Sequence, residues 1–366
     1  MNHTSLSKDE LATALRSGNL PPGVDLSGAD VNLTGVNLTG ANLRNAILIG
    51  AVLRGAKVSG ADLRGAVMTD ADLRDVDLSF ANLTRVDLSG VDLTGADLSG
   101  ACLIRADLAE ANLETAIMQG VSLFGAYLSY ARLRAANLTG AKLGNAVLTG
   151  VDLSGAKLSG ASLTGAGLGS SKLIGANLAG ADLTGAYLVH SNLSESVLTG
   201  AILSGAEMVG VSLAGADLRY AVLVNANLQC ANLFGACLSY ASLRGADLTD
   251  TKLGNAVLVR ARLSGADLSC AKLIHANLRG ANLVGADLSV ATLDGAKLDG
   301  AKLGGVDLSH ASLKGVVLSY ADLTGAVLSG ADLSGADLTG TCLADTALTD
   351  TRRVPPCVVS SGPDTI

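Results

Sequence analysis

The chain of 366 residues contains no tryptophan, three phenylalanines and six tyrosines. A core assembled from large aromatic side chains is therefore excluded, and the apolar interior has to come from aliphatic residues. Charged residues are also scarce, at 16%, and the formal charge is −7. Direct binding of nucleic acid needs a basic stripe that such a balance does not supply. No run of 18 apolar residues is present, which excludes a helical membrane span, although the mean hydropathy is +0.42. Met1 to Leu11 lack the apolar centre of a secretory signal. The six cysteines have no close paired spacing of the kind that marks a zinc site or redox dithiol; free thiols in a reducing compartment are expected. The four histidines, His3, His190, His275 and His310, form no pattern with a nucleophile. An enzyme is not expected, nor a metal or other cofactor.

What the chain does have is a leucine at nearly every fifth residue, in one register from Leu33 to Leu348. Residues 31–350 divide into 64 quintets, and the only centres that are not Leu are Val58, Met68, Met118 and Met208. Two positions earlier stands Ala, or occasionally Val, Ser or Thr, as in Ala181-Asp182-Leu183-Thr184-Gly185. A helix face recurs at 3.6 residues and a strand face at 2, so neither explains this spacing. A unit this short cannot bury its apolar face alone and has to stack on its copies. The pattern predicts an all-β solenoid in which each quintet forms one side of a coil, with Leu inward and the small residue beside it.

In these residues the chain resembles the pentapeptide-repeat family over Val31 to Asp350. The resemblance implies a right-handed quadrilateral β-helix with four quintets per coil, hence about 16 coils and a rod of roughly 77 Å at strand spacing. Glycines that end quintets, such as Gly280, Gly300 and Gly340, fall where the backbone must turn sharply.

Three segments are expected: an N-terminal cap over residues 1–23, the β-helix over 24–350 and a flexible tail over 351–366. In the cap, Ser7 and Glu10 have capping-box spacing, and Leu11 and Leu15 share a helical face before Pro21-Pro22. A short helix from Lys8 to Arg16 is predicted. Leu26 to Leu33 is seven residues instead of five, which marks Ala29 and Asp30 as an inserted pair.

If four quintets close a coil, residues 20 apart lie in one surface column. Tyr220, Tyr240 and Arg260 then share a corner, and aromatic and arginine side chains are common anchors of protein interfaces. Asp247, Asp267, Asp287 and Asp307 form a ladder, preceded by Glu207 and Asn227. That ladder is either a strip of charge that imitates a nucleic-acid backbone or a set of acceptors for the chain's own turns. Cys230, Asp250 and Cys270 form a third column, in which the two thiols stand about 10 Å apart, too far for one zinc ion. Arg85 above Arg105 makes a small basic spot able to attract an acidic partner.

The function expected from these features is a non-enzymatic scaffold that presents side-chain columns to another protein. The resemblance implies an alternative, since some family members bind DNA gyrase, a topoisomerase, in place of DNA. A homodimer through the open C-terminal coil is compatible with the pattern. The expected location is cytoplasmic, with a secreted effector that lacks a cleavable signal as the second alternative.

Overall fold

The computed structural model describes residues 4–5, 14, 24–26 and 32–352. Its regular feature is a hydrogen-bonding scheme that uses the five positions of a quintet differently, numbered here so that Leu is position 3. The position 3 N–H donates to a carbonyl 19 residues ahead, as Leu43 does to Asp62 at 2.8 Å. The position 2 N–H donates 21 residues back, as Asp62 does to Ala41 at 2.9 Å. The position 5 N–H also donates ahead (Asn45 to Arg64, 3.0 Å), and the position 1 N–H closes a turn onto the preceding Leu (Ala46 to Leu43, 3.1 Å).

The position 4 N–H is left over, and it explains why Asp or Asn so often precedes the Leu. Where position 2 is Asp or Asn, its Oδ1 accepts this amide: Thr34 to Asn32 at 3.0 Å, Ser154 to Asp152 at 3.0 Å, Ser269 to Asp267 at 2.9 Å. A short side chain that binds the backbone two residues ahead satisfies an amide that no backbone carbonyl of a neighbouring coil reaches. Position 5 ends the turn, and at every quintet from Gly35 to Asp350 its φ lies between 53° and 74°. That left-handed conformation is what a type II turn requires of its third residue.

The chain divides into two compact units, Met1–Val197 and Leu198–Ile366. In the first, parallel bridges at a step of 20 run from Asn32↔Val52 to Asn177↔Val197, so four quintets close one coil. The core holds Leu, Ala, Val and Met side chains, such as Leu153, Ala156 and Met118, each at most 1% exposed. Burying one Leu in this way contributes about 2 kcal/mol. At position 1, Ser171, Ser191 and Ser196 are buried without loss because each hydroxyl donates to the carbonyl three residues earlier, at 2.5, 2.6 and 2.7 Å.

The N-terminal side of this unit contains two short strands, β1 (Thr4–Ser5) and β2 (Val24–Asp25), paired in parallel with Thr4 opposite Val24. The 20-residue step thus already operates in the segment expected to act as a cap. One coil later the step is 22, because Asp25 pairs with Ile47. This is the offset that an inserted pair produces, although Ala29 and Asp30 lie outside the described residues. The helix predicted from Lys8 to Arg16 also lies outside them, except for Ala14.

In the second unit the bridges run at the same step from Ile202↔Val222 to Asp332↔Arg352. Thr251 is the buried hydroxyl here and donates to the Leu248 carbonyl at 2.7 Å. Burial fades at the far end, where Leu338 and Leu343 are half-buried and Leu348 is 37% exposed. Beyond Arg352 the expected tail lies outside the described residues. Among those residues no helix is long and apolar enough to cross a membrane.

Candidate functional site

Tyr220, Tyr240 and Arg260 all occupy position 5, at φ 60°, 63° and 55°. Asn and Asp tolerate this conformation, but tyrosine and arginine hold it at a cost on the order of 1 kcal/mol each. Two of the three side chains meet. The tyrosine rings stack with centroids 5.2 Å apart and planes 9° from parallel, and the residues are 59% and 44% exposed.

The reason for the stack is visible at other corners, where a ring leans over the residue one coil ahead. A Cβ on Gly100 would lie 2.7 Å from the Phe80 ring, one on Gly150 2.6 Å from Tyr130, and one on Gly340 2.8 Å from Tyr320. Above Tyr220 that place is taken by a second tyrosine, so the rings lie face to face. Arg260 leans the same way, with its Cγ 3.4 Å from where a Gly280 Cβ would be. All nine aromatic residues of the chain are between 44% and 74% exposed. The scarce aromatics contribute nothing to the core and are wholly committed to the surface.

The acidic ladder is continuous, with bridges Asn227↔Asp247, Asp247↔Asp267, Asp267↔Asp287 and Asp287↔Asp307. Each Asp is half-buried and accepts the amide of its own turn, from Thr249, Ser269, Ser289 and Ser309 at 2.8–3.0 Å. Gln229 Nε2 donates to the other oxygen of Asp247 at 2.6 Å, and Asn227 Nδ2 donates to Glu207 at 2.9 Å. Burial opposes the Asp247 carboxylate, but the Thr249 hydroxyl and amide and the Gln229 amide outweigh it and hold its pKa below the ordinary value. Asp77, Asp87 and Asp107 bind their turns in the same way, so the ladder uses the chain's general turn chemistry.

Other carboxylates are paired with arginine two residues on. Arg64 grips both oxygens of Asp62 (2.8 and 2.5 Å) and holds that carboxyl below its usual range; Arg219 does the same to Asp217. Cys102, Cys230, Cys237, Cys270 and Cys342 are free thiols. Among the described residues no group of three His, Cys, Asp or Glu is arranged to hold a metal ion.

The family model described as pentapeptide repeats (8 copies) matches residues 32–70, 71–108, 106–145, 131–168, 176–213, 206–245, 241–280, 271–309 and 311–350. A search of curated proteins gives no match. Among solved structures, HetL from the cyanobacterium Nostoc sp. strain PCC 7120, a pentapeptide repeat protein involved in heterocyst differentiation regulation, is 34% identical. That likeness covers 66% of this chain and 90% of HetL, with a TM-score of 0.23. A trypsin-treated form of QnrB1, a plasmid-mediated fluoroquinolone resistance protein, is 23% identical over 47% of this chain and 88% of its own, with a TM-score of 0.27. A pentapeptide repeat protein of the Arabidopsis thaliana thylakoid lumen is 33% identical over 29% of this chain and 65% of its own, with a TM-score of 0.18. At TM-scores this low the superpositions add nothing to the sequence match. With matched segments reaching from residue 32 to residue 350 and the quintet hydrogen bonding present in both units, the chain belongs to the pentapeptide-repeat family, whose members fold as right-handed quadrilateral β-helices.

Proposed function

We propose that the protein is a non-enzymatic scaffold for protein–protein interaction and that Tyr220, Tyr240 and Arg260 form its binding corner. The observation that carries this is the exposed Tyr220–Tyr240 stack, held on left-handed backbone where glycine is the unstrained choice. A rigid pair of rings offers contact area with little side-chain entropy left to lose, which suits an interface anchor. The partner is another protein. The free cysteines fit a reducing cytoplasm, with export into a host cell as the alternative location. The half-open end at Leu338, Leu343 and Leu348 gives a second copy a place to dock.

The test is affinity capture from a lysate of the source organism, with wild type and a Tyr220→Gly, Tyr240→Gly, Arg260→Gly variant as baits. Glycine keeps the corner backbone without strain. A partner retained by wild type and lost from the variant supports the corner; partners retained equally by both baits sink it.

A second proposal is nucleic-acid mimicry towards DNA gyrase, favoured by the unbroken Asp247–Asp307 ladder. Its test is gyrase supercoiling with wild type and with all four aspartates changed to asparagine. Inhibition that survives the loss of four charges contradicts mimicry.

A further inference from the structure

A groove of about 580 Å³ runs along one corner of the first unit. Its walls come from positions 4 and 5 of stacked quintets, whose succession follows the bridges Asn42↔Asp62, Asp62↔Asn82, Asn82↔Cys102 and Cys102↔Ser122. Arg44 and Arg64 enter from position 4, and Arg85 and Arg105 from position 5. Ile104 and Phe124 continue the position 4 column at the other end. Four guanidinium groups thus converge on one groove in a chain whose net charge is −7.

Their internal commitments differ. Arg64 is spent on Asp62, and Arg44 adds to the field on the same carboxylate. Arg85 and Arg105 form no ion pair among the described residues. Both sit at left-handed corners, φ 59° and 55°, one coil apart at about 4.8 Å. Backbone strain and like-charge repulsion both disfavour this pair, and no internal acid compensates. At the apolar end the Phe124 ring rests against Gly144, where an added Cβ would lie 3.1 Å from the ring, and the residue is 47% exposed.

The geometry points to a binding site for a short acidic peptide in extended conformation, its carboxylates on Arg85 and Arg105 and a following apolar residue on Ile104 and Phe124. Four coil steps from Arg44 to Phe124 span about 19 Å, the length of roughly six extended residues. Guanidinium forks match carboxylates in charge and shape. The groove is open along its length, which suits an extended segment better than a small molecule that needs enclosure. A long polyanion such as nucleic acid would run past the groove along the same columns onto Gly144, Asn145, Thr164 and Gly165, which carry no positive charge. This site is distinct in residues and chemistry from the tyrosine corner and does not depend on it.

The experiment is fluorescence anisotropy on the full chain with a labelled peptide of four glutamates followed by two phenylalanines. The comparison peptide replaces the glutamates with glutamine, and ATP is titrated separately as a compact phosphate. The variants are Arg85→Gly with Arg105→Gly, and Phe124→Ala, each checked for an unchanged β signal and melting temperature. Glycine at the two corners retains the backbone conformation found at Gly65 and Gly125. Saturable binding is expected, weakened about tenfold or more by the double arginine variant and by the glutamine peptide, and several-fold by Phe124→Ala. Failure of the acidic peptide to bind, or equal binding by wild type and the folded double variant, overturns the proposal. ATP binding about tenfold tighter than the peptide, through the same arginines, overturns it in favour of a small phosphate ligand.

Discussion

Asp247 Oδ1 accepts both the backbone N–H of Thr249, at 3.0 Å, and the Thr249 hydroxyl, at 2.7 Å. One acidic side chain completes the turn that follows it, and the remaining oxygen accepts from Gln229 Nε2 at 2.6 Å. Structure and charge can be separated by substitution, because Asn presents the same Oδ1.

Asp87→Asn should leave the melting temperature nearly unchanged, since Asn32, Asn37 and Asn137 make the same bond. Asp87→Ala should cost about 1 kcal/mol, because the Ser89 amide loses its acceptor. Thermal denaturation of the two variants checks this; equal losses would show that the charge, and not the acceptor, matters.

The corners predict stabilising substitutions. Phe80 is 73% exposed at φ 55°, so Phe80→Gly should raise stability by up to about 1 kcal/mol despite removing a large side chain. Gly100→Ala should cost about the same, since its φ is 63° and the exposed Phe80 ring can swing aside. Chemical denaturation midpoints with an unchanged slope are the measurement, and destabilisation by Phe80→Gly would contradict the strain argument.

In the core, Leu263→Ala should destabilise by about 2–5 kcal/mol through lost burial and a cavity that a rigid stack cannot close. Leu263→Met should cost less than about 1.5 kcal/mol, because Met68, Met118 and Met208 already fill the same position. Urea denaturation of both variants distinguishes packing from general hydrophobicity.

Acid should act late. The Thr184 hydroxyl and amide, at 2.6 and 2.9 Å, hold Asp182 below the ordinary carboxyl value, with a smaller contribution from the Thr164 hydroxyl. A carboxyl whose pKa is lower folded than unfolded contributes fully above its unfolded value of about 3.9, and that contribution is lost as pH falls through the lowered folded value. Melting temperature should therefore hold from neutral pH down to about pH 4 and decline below it, less steeply in Asp182→Asn. A decline that begins near about pH 6 would implicate histidine instead.

Much of the candidate corner was legible in the sequence. A 20-residue coil places Tyr220 above Tyr240 and Arg85 above Arg105 by numbering alone. The direction in which corner side chains lean was not legible, because it depends on the Cα–Cβ vector of left-handed residues within a closed coil. That lean brings the tyrosine rings face to face and carries Arg260 towards Gly280. Arg44, Arg64 and Phe124 were also missed as companions of Arg85 and Arg105. They stand at position 4, and a column followed through one position does not reveal a groove built from two.

The sequence by itself determined the inward Leu, the small residue beside it and the quintet period. These are local choices repeated identically, and only a stacked coil buries them. The acceptor role of Asp and Asn became definite once the coil-to-coil bonds showed which amide they leave over. Only the tertiary structure decided which exposed side chains meet, since residues in stacked quintets of successive coils come together only when four sides close and the backbone sets each side chain's direction.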